Sequence, residues 1–153
     1  MALKSARLFV IGLGICALLV VAIIFTSSAN SESSVLDISQ QQLINLLDKR
    51  ASGKSSTRDL NDTNRNFILI DVRTQTEFKA GHVRTAVNIP HAEILDNISL
   101  LDAYLDQDMI FYCRSGARAG KVTRYLTELE YKNLYHLKGD FMGWQESKLD
   151  IAQ

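Results

Sequence analysis

The sequence predicts an α/β fold: a parallel sheet of about five strands with helices on both faces, preceded by one apolar N-terminal helix. Three observations predict it. Short apolar runs such as Phe67-Ile-Leu-Ile and Met109-Ile-Phe-Tyr112 lack polar alternation, as strands covered on both faces do. Stretches with helical spacing of apolar residues separate these runs from one another. Strands alternating with helices pair in parallel, because each helix carries the chain back across the sheet. The chain has 153 residues, which suits one domain after an N-terminal segment.

That segment comes first. Lys4 and Arg7 precede an uncharged apolar run over residues 8–25, and Thr26-Ser-Ser-Ala29 follows with small residues where a signal peptidase can cut. The run is 18 residues long, about the minimum that spans a bilayer, so residues 1–29 read either as a cleaved signal peptide or as a retained membrane anchor. Both readings export the domain. A lipid-anchored Cys16 is disfavoured because Ile15, not a small residue, precedes it.

Residues 30–34 form a polar spacer, and the domain is expected over residues 35–150. Ser39 with Gln42 three positions on is a capping box, and Leu43, Ile44, Leu46 and Leu47 make the apolar stripe of a short helix. Residues 51–66 are rich in Ser, Thr, Asn, Asp and Lys and read as a loop. The strand beginning at Phe67 ends in Asp71. Thr74 and Glu77 then make a second capping box, and Gly81 ends that helix. Residues 86–89 read as a strand closed by Pro90, and residues 93–104 as a helix with Ile94, Leu95, Ile98, Leu101 and Leu105 inward. The strand ending at Tyr112 is followed by a helix over residues 117–129 that turns Val122, Tyr125, Leu126 and Leu129 to one side. Residues 133–137 form the last strand and 141–148 the last helix. No internal repeat is visible.

Lys and Arg number 17, as do Asp and Glu, so the chain is neutral overall. Both basic residues of the N-terminal segment lie outside the domain, which is therefore slightly acidic. No basic surplus points to nucleic acid as a partner. His91 and His136 lack companions at metal-ligand spacing, and neither a metal nor another cofactor is expected.

The chemistry concentrates at Cys113-Arg-Ser-Gly-Ala-Arg118, where a buried strand runs through a tight loop into a helix. Successive loop N–H groups and the positive end of the helix favour an anion at the loop centre. Cys113 at that joint is expected as a reactive thiolate, with Arg114 and Arg118 adding positive charge. The alternative is a small hydrophobe that ends a strand. Cys16 lies in the apolar run, so the domain holds one thiol and cannot form an internal disulfide.

This loop resembles the active-site loop of the rhodanese sulfurtransferase family. Two more stretches resemble that family's signatures: Asp71-Val-Arg-Thr-Gln-Thr-Glu77-Phe-Lys-Ala-Gly81-His82 through Pro90, and Gly139-Asp-Phe-Met-Gly143-Trp144. All three occur in family order, across residues 35–148. The resemblance implies sulfur transfer from a donor such as thiosulfate or a persulfide to cyanide or a thiol, through a persulfide on Cys113. Arg118 and then Arg114 are expected to bind the donor, with Ser115, Gly116 and Ala117 in the loop beside it. Asp71 and Arg73 are expected to brace the site, a catalytic carboxylate being the sharper alternative, and His82 to be a hydrogen-bonded structural histidine. Trp144 is expected in the core or pocket wall. The membrane is a partner only if residues 8–25 are retained.

Three other readings compete. Cysteine phosphatases and arsenate reductases place five residues between cysteine and arginine; here four do, and Ala119 stands where their arginine would. A non-catalytic binding module of the same fold is the second, although Cys113 and both arginines are present. A redox-sensing thiol is the third.

Overall fold

A computed structural model describes residues 35–52 and 66–153, which lie in one compact unit, Ser33–Gln153. The expected N-terminal helix and the spacer lie outside the described residues, as does most of the 51–66 loop. Among the described residues no helix is long and apolar enough to cross a membrane.

In chain order the elements are β1 (Leu36–Ile38), α1 (Gln40–Ala51), β2 (Phe67–Asp71), α2 (Gln75–Ala80), β3 (His82–Val83), β4 (Val87–Asn88) and α3 (His91–Asp96). A 3-10 segment (Ile98–Tyr104), β5 (Asp108–Tyr112), α4 (Ala117–Glu128), β6 (Leu134–Leu137), α5 (Asp140–Glu146) and β7 (Ile151–Ala152) complete them. Five strands form a parallel sheet in the order β1-β6-β5-β2-β4, so β5 lies at its centre. Sequence alternation along β5 divides the core into two layers. Ile110 and Tyr112 face Leu43, Leu47, Phe141 and Trp144 of α1 and α5. Met109, Phe111 and Cys113 face Ile94, Ala119, Val122 and Leu126 of α3 and α4. Helices therefore cover both faces, each packing its apolar stripe against one set of alternating strand residues.

Both capping boxes form. Ser39 Oγ accepts from the Gln42 N–H, and Thr74 Oγ1 from the Glu77 N–H, while each N3 side chain reaches back to its cap. Several elements differ from expectation. Leu36–Ile38 is an edge strand paired with β6, and β3 pairs antiparallel with β7, which carries the fold beyond residue 150. The helix expected over 93–104 breaks at Asn97, whose extended backbone ends α3 and whose side chain accepts from the Ser99 N–H. That break turns Leu105 outward, although Ile94 and Leu101 remain fully buried.

Candidate active site

Asp71 of β2 and Tyr112 of β5 are register partners, so the upstream acidic residue and the cysteine loop emerge at the same end of the sheet. This is the carboxyl end of parallel strands, where open α/β sheets place their sites. A cavity of about 310 Å³ lies instead beside the strand starts, at Phe67 and Asp108, and contains no residue of the loop.

Cys113 follows the central strand directly and is 1% exposed. The Gly116 N–H points at its sulfur, with N to Sγ 3.2 Å. Gly116 adopts φ 95°, a left-handed conformation that glycine tolerates without a side-chain penalty. A Cβ would also be crowded, 3.1 Å from Asp140 Oδ2 and 3.4 Å from His136 Cε1. Gly116 serves as N-cap of α4 with no side-chain cap, and Ala117, Arg118 and Ala119 make its first turn. First-turn N–H groups have no acceptor within the helix, so this turn can donate to an anion at the sulfur.

The backbone of the loop is fastened from α5. The Phe141 N–H donates to Cys113 O and the Met142 N–H to Arg114 O, each at 3.0 Å. Because C=O and the next N–H of a trans peptide point opposite ways, the Arg114 and Ser115 N–H groups are directed away from α5. Asp140 completes the fastening. Its Oδ1 accepts the Cys113 N–H at 2.8 Å, and its Oδ2 lies 3.1 Å from His136 Nε2. Asp140 is 4% exposed and sits with φ 51° just after Gly139, in a turn that aspartate tolerates better than most residues. The His136 imidazole is held protonated above its ordinary range by the Asp140 hydrogen bond, against the effect of burial, with Asp37 adding a smaller contribution.

Arg118 is the second residue of α4. Its two terminal nitrogens donate to the two Glu77 oxygens at 2.6 and 2.8 Å. Glu77 is pulled down to about 2, chiefly by Arg118 and then, against burial, by Thr74. Arg118 in turn binds its proton more tightly, first through Glu77 and, more weakly, through the adjacent Cys113 thiol. Arg114, Ser115 and Ala117 are exposed on the loop.

Asp71 and Arg73 form a buried pair. Arg73 donates through Nε to both carboxylate oxygens at 3.0 Å, through a terminal nitrogen to Asp71 Oδ2 at 2.6 Å, and to Gly81 O at 2.7 Å. Its guanidinium also lies 3.8 Å from the Phe141 ring centre. The upstream motif thus meets the loop through Phe141, whose N–H holds Cys113 O. Tyr112 strengthens the same corner: its hydroxyl accepts the Val83 N–H at 3.1 Å, and burial beside Asp71 raises its titration above the ordinary range. His82 stacks on Phe78 at 3.7 Å with Nδ1 3.0 Å from Phe78 O, a contact across the junction of α2 and β3. Trp144 is buried and donates to Asp150 O at 2.9 Å. Among the described residues no group of three or more His, Cys, Asp and Glu is placed to hold a metal.

Glu77, Asp140 and His136 belong to this site but not to the residues expected in it. Glu77 was legible as a helix cap within the upstream motif, and Asp140 only as part of the Gly139-Asp motif.

The rhodanese-like domain family model matches residues 54–147. Over 145 residues the chain is 29% identical to a putative mitochondrial thiosulfate sulfurtransferase of Schizosaccharomyces pombe, covering 88% of this chain and 93% of that protein. It is 33% identical over 90 residues to a tRNA uridine(34) hydroxylase of Buchnera aphidicola, which covers 55% of this chain but only 29% of the hydroxylase. The crystal structure of a thiosulfate sulfurtransferase from Pseudomonas aeruginosa superposes with a TM-score of 0.61 at 19% identity, covering 78% of this chain and 20% of that one.

Proposed function

The chain belongs to the rhodanese-like domain family, and from that premise we propose that it is a sulfurtransferase carrying sulfane sulfur on Cys113, from thiosulfate or a similar donor to cyanide or a thiol. The observation that carries this reading is the Gly116 N–H aimed at Sγ, at the mouth of an uncapped helix start. Such a nest stabilises a sulfur anion without a separate general base.

The Cys113 thiolate attacks the outer sulfur of the donor. A new S–S bond forms, the donor's S–S bond breaks, and sulfite departs with the electron pair. The persulfide anion then lies among the α4 first-turn N–H groups. An acceptor nucleophile attacks its outer sulfur, and the Cys113 thiolate leaves. Two half-reactions through one covalent intermediate give ping-pong kinetics. With Cys113 1% exposed, a small donor that presents a single sulfur atom suits the loop.

Incubating the reduced protein with thiosulfate tests the reading. A mass gain of about 32 Da on Cys113, removed by cyanide, is expected. No gain, with Cys113→Ser indistinguishable from the unaltered protein in cyanide-acceptor turnover, would instead leave a binding module.

We also place the domain outside the cytoplasm, since Lys4 and Arg7 precede the apolar run over residues 8–25. Cell fractionation should recover it with extracytoplasmic or membrane material. N-terminal sequencing then separates cleavage near residue 30 from retention, and recovery in the cytosol would contradict the placement.

A further inference from the structure

Arg118 interacts with the Cys113 sulfur, yet its two terminal nitrogens are already engaged end-on by Glu77. Glu77 is not free to leave. Its Oε2 also accepts from the Thr74 N–H at 3.1 Å and from Thr74 Oγ1 at 2.8 Å, so releasing Arg118 by moving Glu77 would unmake the cap of α2. The carboxylate is therefore a fixed negative charge one side chain away from the thiol. Around the pair, Lys121 on α4 and His91 on α3 lie within electrostatic reach and Arg114 is exposed on the loop, while the Asp140 carboxylate at the Cys113 N–H is paired with His136.

On the sulfur-transfer reading above, we propose that Glu77 is a specificity-determining residue that selects the sulfur donor by charge, disfavouring a dianion relative to a monoanion. Arg118, held by Glu77, acts on the sulfur of Cys113 rather than on the oxyanion group of the donor. Arg114 is left to meet that group. A charge fixed in a partly desolvated site discriminates between otherwise similar substrates, because the donor cannot be accompanied there by its full hydration.

Thiosulfate and methanethiosulfonate make the comparison direct. Both offer a terminal sulfane sulfur to Cys113, one as a dianion that releases sulfite and the other as a monoanion that releases methanesulfinate. Glu77→Gln removes the charge but keeps a residue that closes a capping box. The ratio of kcat/KM for thiosulfate to that for methanethiosulfonate should rise about tenfold in this variant, mainly through KM for thiosulfate. An unchanged or lower ratio in a variant with an unaltered far-UV spectrum would overturn the inference. If Glu77→Gln fails to fold, Arg118→Gln serves: leaving Glu77 uncompensated should lower the ratio, and an unchanged ratio overturns the inference equally. Failure of the unaltered protein to take up sulfur from either donor would sink the sulfur-transfer reading itself; uptake from both with an unmoved ratio sinks only the role of Glu77.

Discussion

Asp140 does at one position what the loop cannot do for itself. The Cys113 N–H lies in the interior, and a buried donor without an acceptor costs about 1–3 kcal/mol. Asp140→Ala removes that acceptor and also the partner of His136. The variant is expected to lose about 1–3 kcal/mol in urea denaturation and to form the Cys113 persulfide at least about tenfold more slowly. A stable variant with an unaltered rate would show that the loop holds its shape without the carboxylate. Nothing in the sequence announces this role, because Asp140 and Cys113 are 27 positions apart and meet only when β6 lies beside β5. The same holds for Arg118 and Glu77, 41 positions apart. The sequence shows Arg118 without its partner, so the expectation that it binds the donor takes no account of Glu77. Cys113 itself was legible, since a strand, a glycine-bearing loop and a helix start are all local features.

Elements were legible where the signal was local and strong. The capping boxes at Ser39/Gln42 and Thr74/Glu77 fixed two helix starts, because an N-cap hydrogen bond depends on four consecutive residues. β2 and β5 stood out because strands covered on both faces have nearly unbroken apolar sequence. β1 was hidden by its edge position: Leu36 and Asp37 are exposed, and only Ile38 is buried. β3 and β7 are two residues each and have no periodicity to detect. The split at Asn97 was hidden for a different reason. Apolar residues at 94, 95, 98 and 101 satisfy a continuous helical stripe, but the Asn97 side chain offers its oxygen to the Ser99 N–H and stabilises a local alternative to the helix.

At the scale of the whole molecule, the shifts of Glu77, His136 and His91 tie stability to pH in the acid-to-neutral range, and their signs differ. Glu77, lowered to about 2 from a usual 4.5, adds stability above pH 4.5 that disappears as pH falls towards 2. After allowance for screening at this partly exposed pair, the contribution is on the order of 1–2 kcal/mol. His136 has a raised folded value, so its contribution is fully present below its ordinary 6.5 and is lost as pH rises through the folded value. His91 is lowered, by burial first and then by Arg118 and Lys121, so it favours the fold above 6.5 and opposes it below. The two histidines act in opposite directions over the same range, so the pH profile of the unaltered protein does not separate them. A difference curve isolates His136. Melting temperatures of the unaltered protein and His136→Gln, measured side by side from pH 5 to 9, should differ most at the acid end, by about 3–5 °C for a contribution on the order of 1 kcal/mol. The gap should close as pH rises past 6.5, because the charge on the imidazole that faces Asp140 is then lost. A gap that stays constant across the range would mean that His136 supports Asp140 through packing and a neutral hydrogen bond, with its charge contributing nothing.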